Sequence, residues 1–157
     1  MKNNNKKVWN ILTILYMIVI VRLIIFKYPL DRILSIMNHW DSGSIYAGVH
    51  SANFELFKTI KMYIRYYARL NSFENLFGNI LVFIPFGFLL PHIMTSKKKT
   101  LWVALFSLCF ITDIELFQLV TRFGEFDVDD ILLNMMGVII GLGIYHLKEY
   151  IQNKRKK

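Results

Sequence analysis

Residues 111–143 read ITDIELFQLVTRFGEFDVDDILLNMMGVIIGLG. An apolar segment runs into a short acidic loop, and a second apolar segment runs out of it. Carboxylates, amides and an arginine stand where a membrane helix would present hydrocarbon. Glu115, Gln118 and Arg122 fall at i, i+3 and i+7, so they share one helix face, with Thr112 beside them. After the loop, Asp127, Asp130, Asn134, Gly137 and Gly141 fall within about a 60° arc at 3.6 residues per turn. Ionisable groups in a span are costly and as a rule turn inward, pair and serve function. The spacing predicts a helical hairpin with a polar seam, and the rest of the chain as its holder.

The chain has 157 residues, 55% of them hydrophobic, and these come in long runs that suit a membrane protein better than a soluble core. Four spans are predicted, at about 8–26, 74–94, 101–121 and 130–147, each near the length a hydrocarbon core requires. Residues 8–26 are too long for a signal-peptide apolar region and lack a small-x-small cleavage site, so they read as a retained span. The fold expected is one all-α membrane domain, 1–157, of four transmembrane helices plus one amphipathic interfacial helix. Pro85 removes a helical hydrogen bond and is expected to kink or open the second span. The lone Cys109 excludes an intramolecular disulfide.

The net charge of +8 sits mostly at the ends of the apolar runs. It reads as a topology signal and an attraction to anionic membrane lipid, with no nucleic acid partner. Lys2, Lys6, Lys7, Lys97, Lys98, Lys99 and the basic tail fall on one side, the acidic loop on the other. The positive-inside rule makes both termini cytoplasmic and the connection 27–73 extracytoplasmic. That connection carries a stripe of Lys58, Lys61, Arg65 and Arg69 opposite an apolar, tyrosine-bearing face over 54–70, the pattern of a helix lying at headgroup depth. It either caps the bundle or meets anionic headgroups or a phosphate-bearing ligand. Residues 31–53 show no periodicity.

This orientation sets depths. Asn75 and Asn79, Glu115 to Arg122, Asp130 and Asn134, and Arg22 all fall in the outer half of their spans. One outward-opening polar pocket accounts for this: Asn75, Asn79, Glu115, Gln118, Arg122, Asp127, Asp130, Asn134 and Arg22. Each residue also has a structural role open to it. Asp127 or Asp129 can cap the following helix. Arg122 can reach the interface by snorkelling, and Asn79 and Asn134 can bond across helices. Gly78, Pro85, Gly87, Gly137 and Gly141 are assigned to helix packing. Glu115 is too deep for bulk water and must pair with Arg122, Arg22 or an amide, or else be protonated; a cation is expected, Arg122 first, with Arg22 as a second. Asp113 points about 160° away from it, toward a neighbouring helix or a second subunit.

Signatures of catalysis are thin. The four histidines are scattered, Ser107 has no partnered histidine, and there is no phosphate-cradling glycine loop. No catalytic residue, cofactor or metal is assigned.

Two blocks resemble the VanZ-like family of membrane proteins. One is Asn75-x-x-Gly78-Asn79-x-x-x-Phe83-x-Pro85-x-Gly87-x-x-x-Pro91. The other is Glu115-x-x-Gln118, Arg122, then Asp127-x-x-Asp130-x-x-x-Asn134-x-x-Gly137-x-x-x-Gly141. Upstream, the stretch from Asn53 to Ile60 is similar to a family Asn-x-x-Pro-Phe element, with Leu56 at the usual proline. The resemblance implies a multi-pass protein of the bacterial cytoplasmic membrane and cell envelope, contributing to resistance to teicoplanin, a lipid-bearing glycopeptide antibiotic. The expected partners are membrane lipid and a lipoglycopeptide or lipid-linked wall precursor, met at the outer leaflet by binding or shielding. The alternative is an enzyme or small transporter acting on a lipid-linked envelope substrate through Glu115, Arg122 and Asp130.

Overall fold

The computed structural model describes residues 2–24, 28–66 and 72–155. These form seven helices: α1 (Lys2–Ile24), α2 (Leu30–Asn38), α3 (Ser42–Ser51), α4 (Lys58–Arg65), α5 (Ser72–Ile93), α6 (Lys99–Thr121) and α7 (Val128–Lys154). Among the described residues the extended contacts reduce to one isolated parallel bridge, Asn53 to Asp127.

Among the described residues three helices are long and apolar enough to cross a membrane, over Asn75–Ile93, Lys99–Thr121 and Val128–Lys154. Four were expected. The fourth, 8–26, is described only as far as Ile24, as α1, and residues 25 and 26 lie outside the described residues. The tract 31–53, read as irregular, holds α2 and α3. α2 does carry an apolar face, Leu30, Ile33, Leu34 and Met37 at i, i+3, i+4 and i+7, which starts one residue ahead of that tract; α3 shows no such run. A capping signal was available instead. Asp41 accepts from the Ser44 amide at 2.9 Å, and the Ser44 hydroxyl accepts from the Asp41 amide at 3.1 Å. That reciprocal pair starts α3. The interfacial helix is shorter than 54–70: Phe57 takes a left-handed conformation (φ 66°) and α4 begins after it. Residues 67–70 lie outside the description.

The centre of the fold is the pairing of α5 with α7, where backbone meets backbone. A Cβ on Gly137 would lie 2.2 Å from the Ile80 carbonyl oxygen, on Gly141 2.1 Å from that of Ile84, and on Gly87 2.2 Å from that of Val138. No larger residue fits at any of the three. Lipid is as apolar as the helices, so such close contact, rather than hydrophobic segregation, drives association within a bilayer. Gly78 has open space around it, so close packing is not its role. α5 runs on as helix through Pro85 and Pro91. Phe83, Phe86, Leu90, Val103, Ile111, Val138 and Leu142 fill the core between α5, α6 and α7.

α1 lies along α5. The Tyr16 hydroxyl donates to the Val82 carbonyl at 2.8 Å, and Thr13 and Ile20 are buried. The Trp9 ring stacks on His92 with centroids 3.8 Å apart, and the Lys148 ammonium lies 4.7 Å from the Trp9 ring centre. The start of α1 therefore sits at the end where α5 and α7 finish. Lys99 at the start of α6 pairs there with Glu149 at 3.2 Å. One end of the bundle is basic and holds the approaches to both termini; the loop between α6 and α7 lies at the other.

Replacing Gly137 or Gly141 with alanine is expected to push α5 and α7 apart. Overpacking of this kind costs about 1–3 kcal/mol. Thermal unfolding of the purified protein should show a lowered midpoint for both variants. Gly78→Ala and Gly143→Ala, where the added methyl meets nothing within 4 Å, should match the parent or exceed it.

Candidate functional site

The acidic loop is the hub of the non-basic end. Asp127 is the N-cap of α7 and accepts from the Asp129 amide at 2.8 Å. The same oxygen accepts from the Asn53 side-chain amide at 2.8 Å, and the other accepts from the Thr59 hydroxyl at 2.5 Å. Asn53 is bonded on every side. Its backbone amide donates to the Phe126 carbonyl at 2.8 Å, and its carbonyl accepts from Val128 at 3.0 Å. Its side-chain oxygen accepts from the Glu55 amide at 3.0 Å.

Asp129 does not cap its own helix. Its side chain is fully buried and reaches across to α4. One oxygen accepts from the Phe57 amide at 2.5 Å, the other from the Thr59 and Ile60 amides at 2.8 and 3.2 Å. These are the first amides of α4, which have no partner within the helix. The carboxylate satisfies them and faces the positive end of the α4 dipole. Here the segment turns sharply with Leu56, not a proline, before Phe57. The left-handed Phe57 makes the turn and Asp129 holds it.

Glu115 is 2% exposed. One of its oxygens accepts from the Asp127 amide at 3.1 Å, so it grips the far end of the loop from two turns below. Gln118 is buried beside it, and Gly124 rests on its side chain: a Cβ there would lie 2.6 Å from the Gln118 amide carbon. The loop thus folds back over the polar face of α6. Arg122 goes elsewhere. It ends α6 in a left-handed conformation (φ 63°), and its guanidinium donates to the Ser51 hydroxyl at 2.6 Å and the Ala47 carbonyl at 3.2 Å of α3. The expected Glu115–Arg122 ion pair does not form. The turn at Arg122 swings its side chain off the helix face on which the i, i+7 reading put it. α3 also touches α6 through Gly48, where a Cβ would lie 2.3 Å from the Leu119 carbonyl oxygen.

A polar cavity of about 520 Å³ opens beside this hub. Of the residues expected to line a pocket, Asn75, Asn79, Asp127 and Asp130 do so. Asn79 donates to Asp130 at 2.6 Å, joining α5 to α7 across the floor. Glu115 and Gln118 lie behind it under the loop, Asn134 lies one turn deeper than Asp130, and Arg122 and Arg22 are not on its wall. Asn134 is 2% exposed and its side-chain oxygen has no hydrogen-bond partner among the described residues. Asp113 is exposed on another face of α6.

The cavity also takes in residues that the periodicity of single helices could not reveal: Tyr28, Asn53, Lys58, Thr59 and Tyr63. All come from the connection before α5. Burial holds the Tyr63 phenol above its ordinary value, and the nearby charges of Asp130 and Asp127 push the same way, against a hydrogen bond with Asn75. The phenol is therefore a neutral hydrogen-bonding group at physiological pH. At the same end, Ile33, Met37, Trp40, Phe117, Val120 and Phe123 line an apolar groove of about 530 Å³. The Trp40 indole donates to the Val120 carbonyl at 2.8 Å, which satisfies one of the last carbonyls of α6. Among the described residues no three histidine, cysteine, aspartate or glutamate side chains converge to hold a metal. The amide, hydroxyl and carboxylate groups on the cavity wall can form hydrogen bonds with a ligand rich in hydroxyls, amides or amines.

Asp129→Asn is expected to cost about 2–3 kcal/mol, because bonds to a buried carboxylate are stronger than neutral ones and three backbone donors compete for one remaining acceptor. Limited proteolysis of the folded protein should then cut faster between Asn53 and Lys58. An unchanged cleavage rate would show that α4 is held by other contacts.

A family model described as VanZ/LLP1 matches residues 13–149 of this chain. Protein VanZ of Enterococcus faecium is 26% identical over 147 residues, which cover 90% of this chain and 76% of that protein. No solved structure matches.

Proposed function

The chain belongs to the VanZ/LLP1 family, and from that premise we propose that it binds the polar part of an amphipathic molecule in the cavity between α4, α5 and α7. The observation that carries this reading is the cavity itself. It is a polar space of about 520 Å³ at one end of an apolar bundle, walled by Asn75, Asn79, Asp127, Asp130 and Tyr63. The apolar groove around Trp40 and Phe117 at the same end suits a ligand that carries hydrocarbon as well. A lipoglycopeptide such as teicoplanin has that chemistry, and so has a lipid-linked wall precursor. Binding or shielding at the outer leaflet would then contribute to resistance to lipophilic glycopeptides.

The reading places the protein in a bacterial cytoplasmic membrane, with α1 as a fourth membrane helix beside α5. Ile11, Leu12, Ile14, Leu15, Ile18 and Val19 of α1 are exposed and suit contact with lipid. The basic end, with Lys97, Lys98, Lys148 and Lys154, is cytoplasmic by the positive-inside rule. The cavity then opens outward.

Binding is tested by the thermal shift of purified protein with teicoplanin and with a glycopeptide lacking the lipid. Teicoplanin should raise the midpoint and the lipid-free compound should act far more weakly. Asp130→Asn and Asn79→Ala should each weaken teicoplanin binding about tenfold or more, the loss of one charge-assisted hydrogen bond. No shift with teicoplanin would remove the antibiotic reading.

Orientation has its own test. In a Cys109→Ser background, a membrane-impermeant thiol reagent applied to intact cells should label Glu125→Cys and spare Lys98→Cys. The reverse pattern would turn the cavity to the cytoplasm.

A further inference from the structure

The polar cavity leaves most of the basic face of α4 unused. Lys58, Lys61 and Arg65 stand at i, i+3 and i+7 of this helix and line an adjoining groove of about 510 Å³, together with Glu55, Met62 and Tyr66; Lys58 and Met62 are shared with the cavity. All three cations are exposed. None of them makes an ion pair or a side-chain hydrogen bond with another described residue. We propose that this groove binds the phosphate of an anionic phospholipid headgroup.

Depth supports the assignment. Asp129 ties the first turn of α4 to the first turn of α7. α7 has 27 residues, which at 1.5 Å each cover about 40 Å, close to a whole bilayer with its headgroups. Its first turn, and α4 with it, lies at headgroup level. Apolar Leu56, Phe57, Met62 and Ile64 are exposed around the basic stripe. Cations flanked by exposed apolar side chains mark a helix lying in the interface, its apolar groups in the acyl boundary and its charges among phosphates. The groove is also pre-organised. The turn at Phe57 and the three amides held by Asp129 fix α4, so lipid binding need not order it. A phosphodiester offers two charged oxygens, which an arginine fork and lysine ammonium groups match. One carboxylate, Glu55, stands in the groove; three cations outweigh it.

The test uses the full-length protein in a neutral detergent. Its thermal midpoint is followed while phosphatidylglycerol, phosphatidylcholine or inorganic phosphate is added. Phosphatidylglycerol should raise the midpoint by several degrees, and the other two should not. The exposed-site double variant Lys61→Gln/Arg65→Gln should need at least about tenfold more phosphatidylglycerol for the same shift. Lys61→Arg/Arg65→Lys, which keeps the charges, should restore the response even if the first variant starts from a different midpoint. Equal responses to phosphatidylglycerol in the parent and the glutamine variant would overturn the proposal. So would equal responses to the two lipids, and a matching shift with inorganic phosphate would overturn the lipid assignment. Neither Lys61 nor Arg65 lines the polar cavity, so the teicoplanin result and this one can fail separately.

Discussion

Two neighbouring carboxylates hold the irregular part of this protein to its helices. Asp127 caps α7 and binds Asn53 and Thr59, while Asp129 binds the opening amides of α4. Backbone donors that leave a helix or strand near a membrane need a partner, because lipid supplies none. Burying a charge is costly unless it is fully hydrogen-bonded. Here each requirement meets the other: the orphan amides at the start of α4 satisfy the buried Asp129 carboxylate. The walls of the cavity, drawn from both sides of that junction, depend on it.

Much of the helical frame was legible in the sequence. Three of the long apolar runs become α5, α6 and α7, and the GxxxG pair Gly137 and Gly141 lies where α5 and α7 touch. Period and length carry that information because both are properties of a single helix. The first run is helical as far as it is described, as α1 from Lys2 to Ile24. α2 shows its period in Leu30, Ile33, Leu34 and Met37 over little more than two turns, while the evidence for α3 is local, in the capping pair Asp41 and Ser44.

The site was legible in part, and the division has a physical cause. Asn79 and Asp130 were placed on the inward faces of two spans, and the fold joins them at 2.6 Å. Helix spacing sets which face a residue occupies, so pairs across straight helices can be anticipated. It says nothing of a residue at a helix end once the backbone turns. Arg122 shares a face with Glu115 only while α6 continues. At φ 63° the helix has stopped, and the guanidinium goes to α3. The contributions of Asn53, Thr59 and Tyr63 depend on the sharp turn at Phe57, again a left-handed residue that is not glycine.

The two left-handed residues mark the limits of the polar region. Arg122 ends α6 and Phe57 precedes α4, and the loop after Arg122 and the segment before Phe57 both contribute to the junction. Such a conformation costs roughly 1–2 kcal/mol for a residue with a Cβ and persists where surrounding bonds fix it. At Arg122 those bonds run to Ser51 and Ala47, and at Phe57 to Asp129. A glycine in either place would relax the backbone at the expense of a side chain. At Arg122 that side chain is the tie to α3, so the arginine holds a strained position because its reach is needed there. The apolar bundle fixes where the end of the membrane domain lies, and these two turns decide what is built on it.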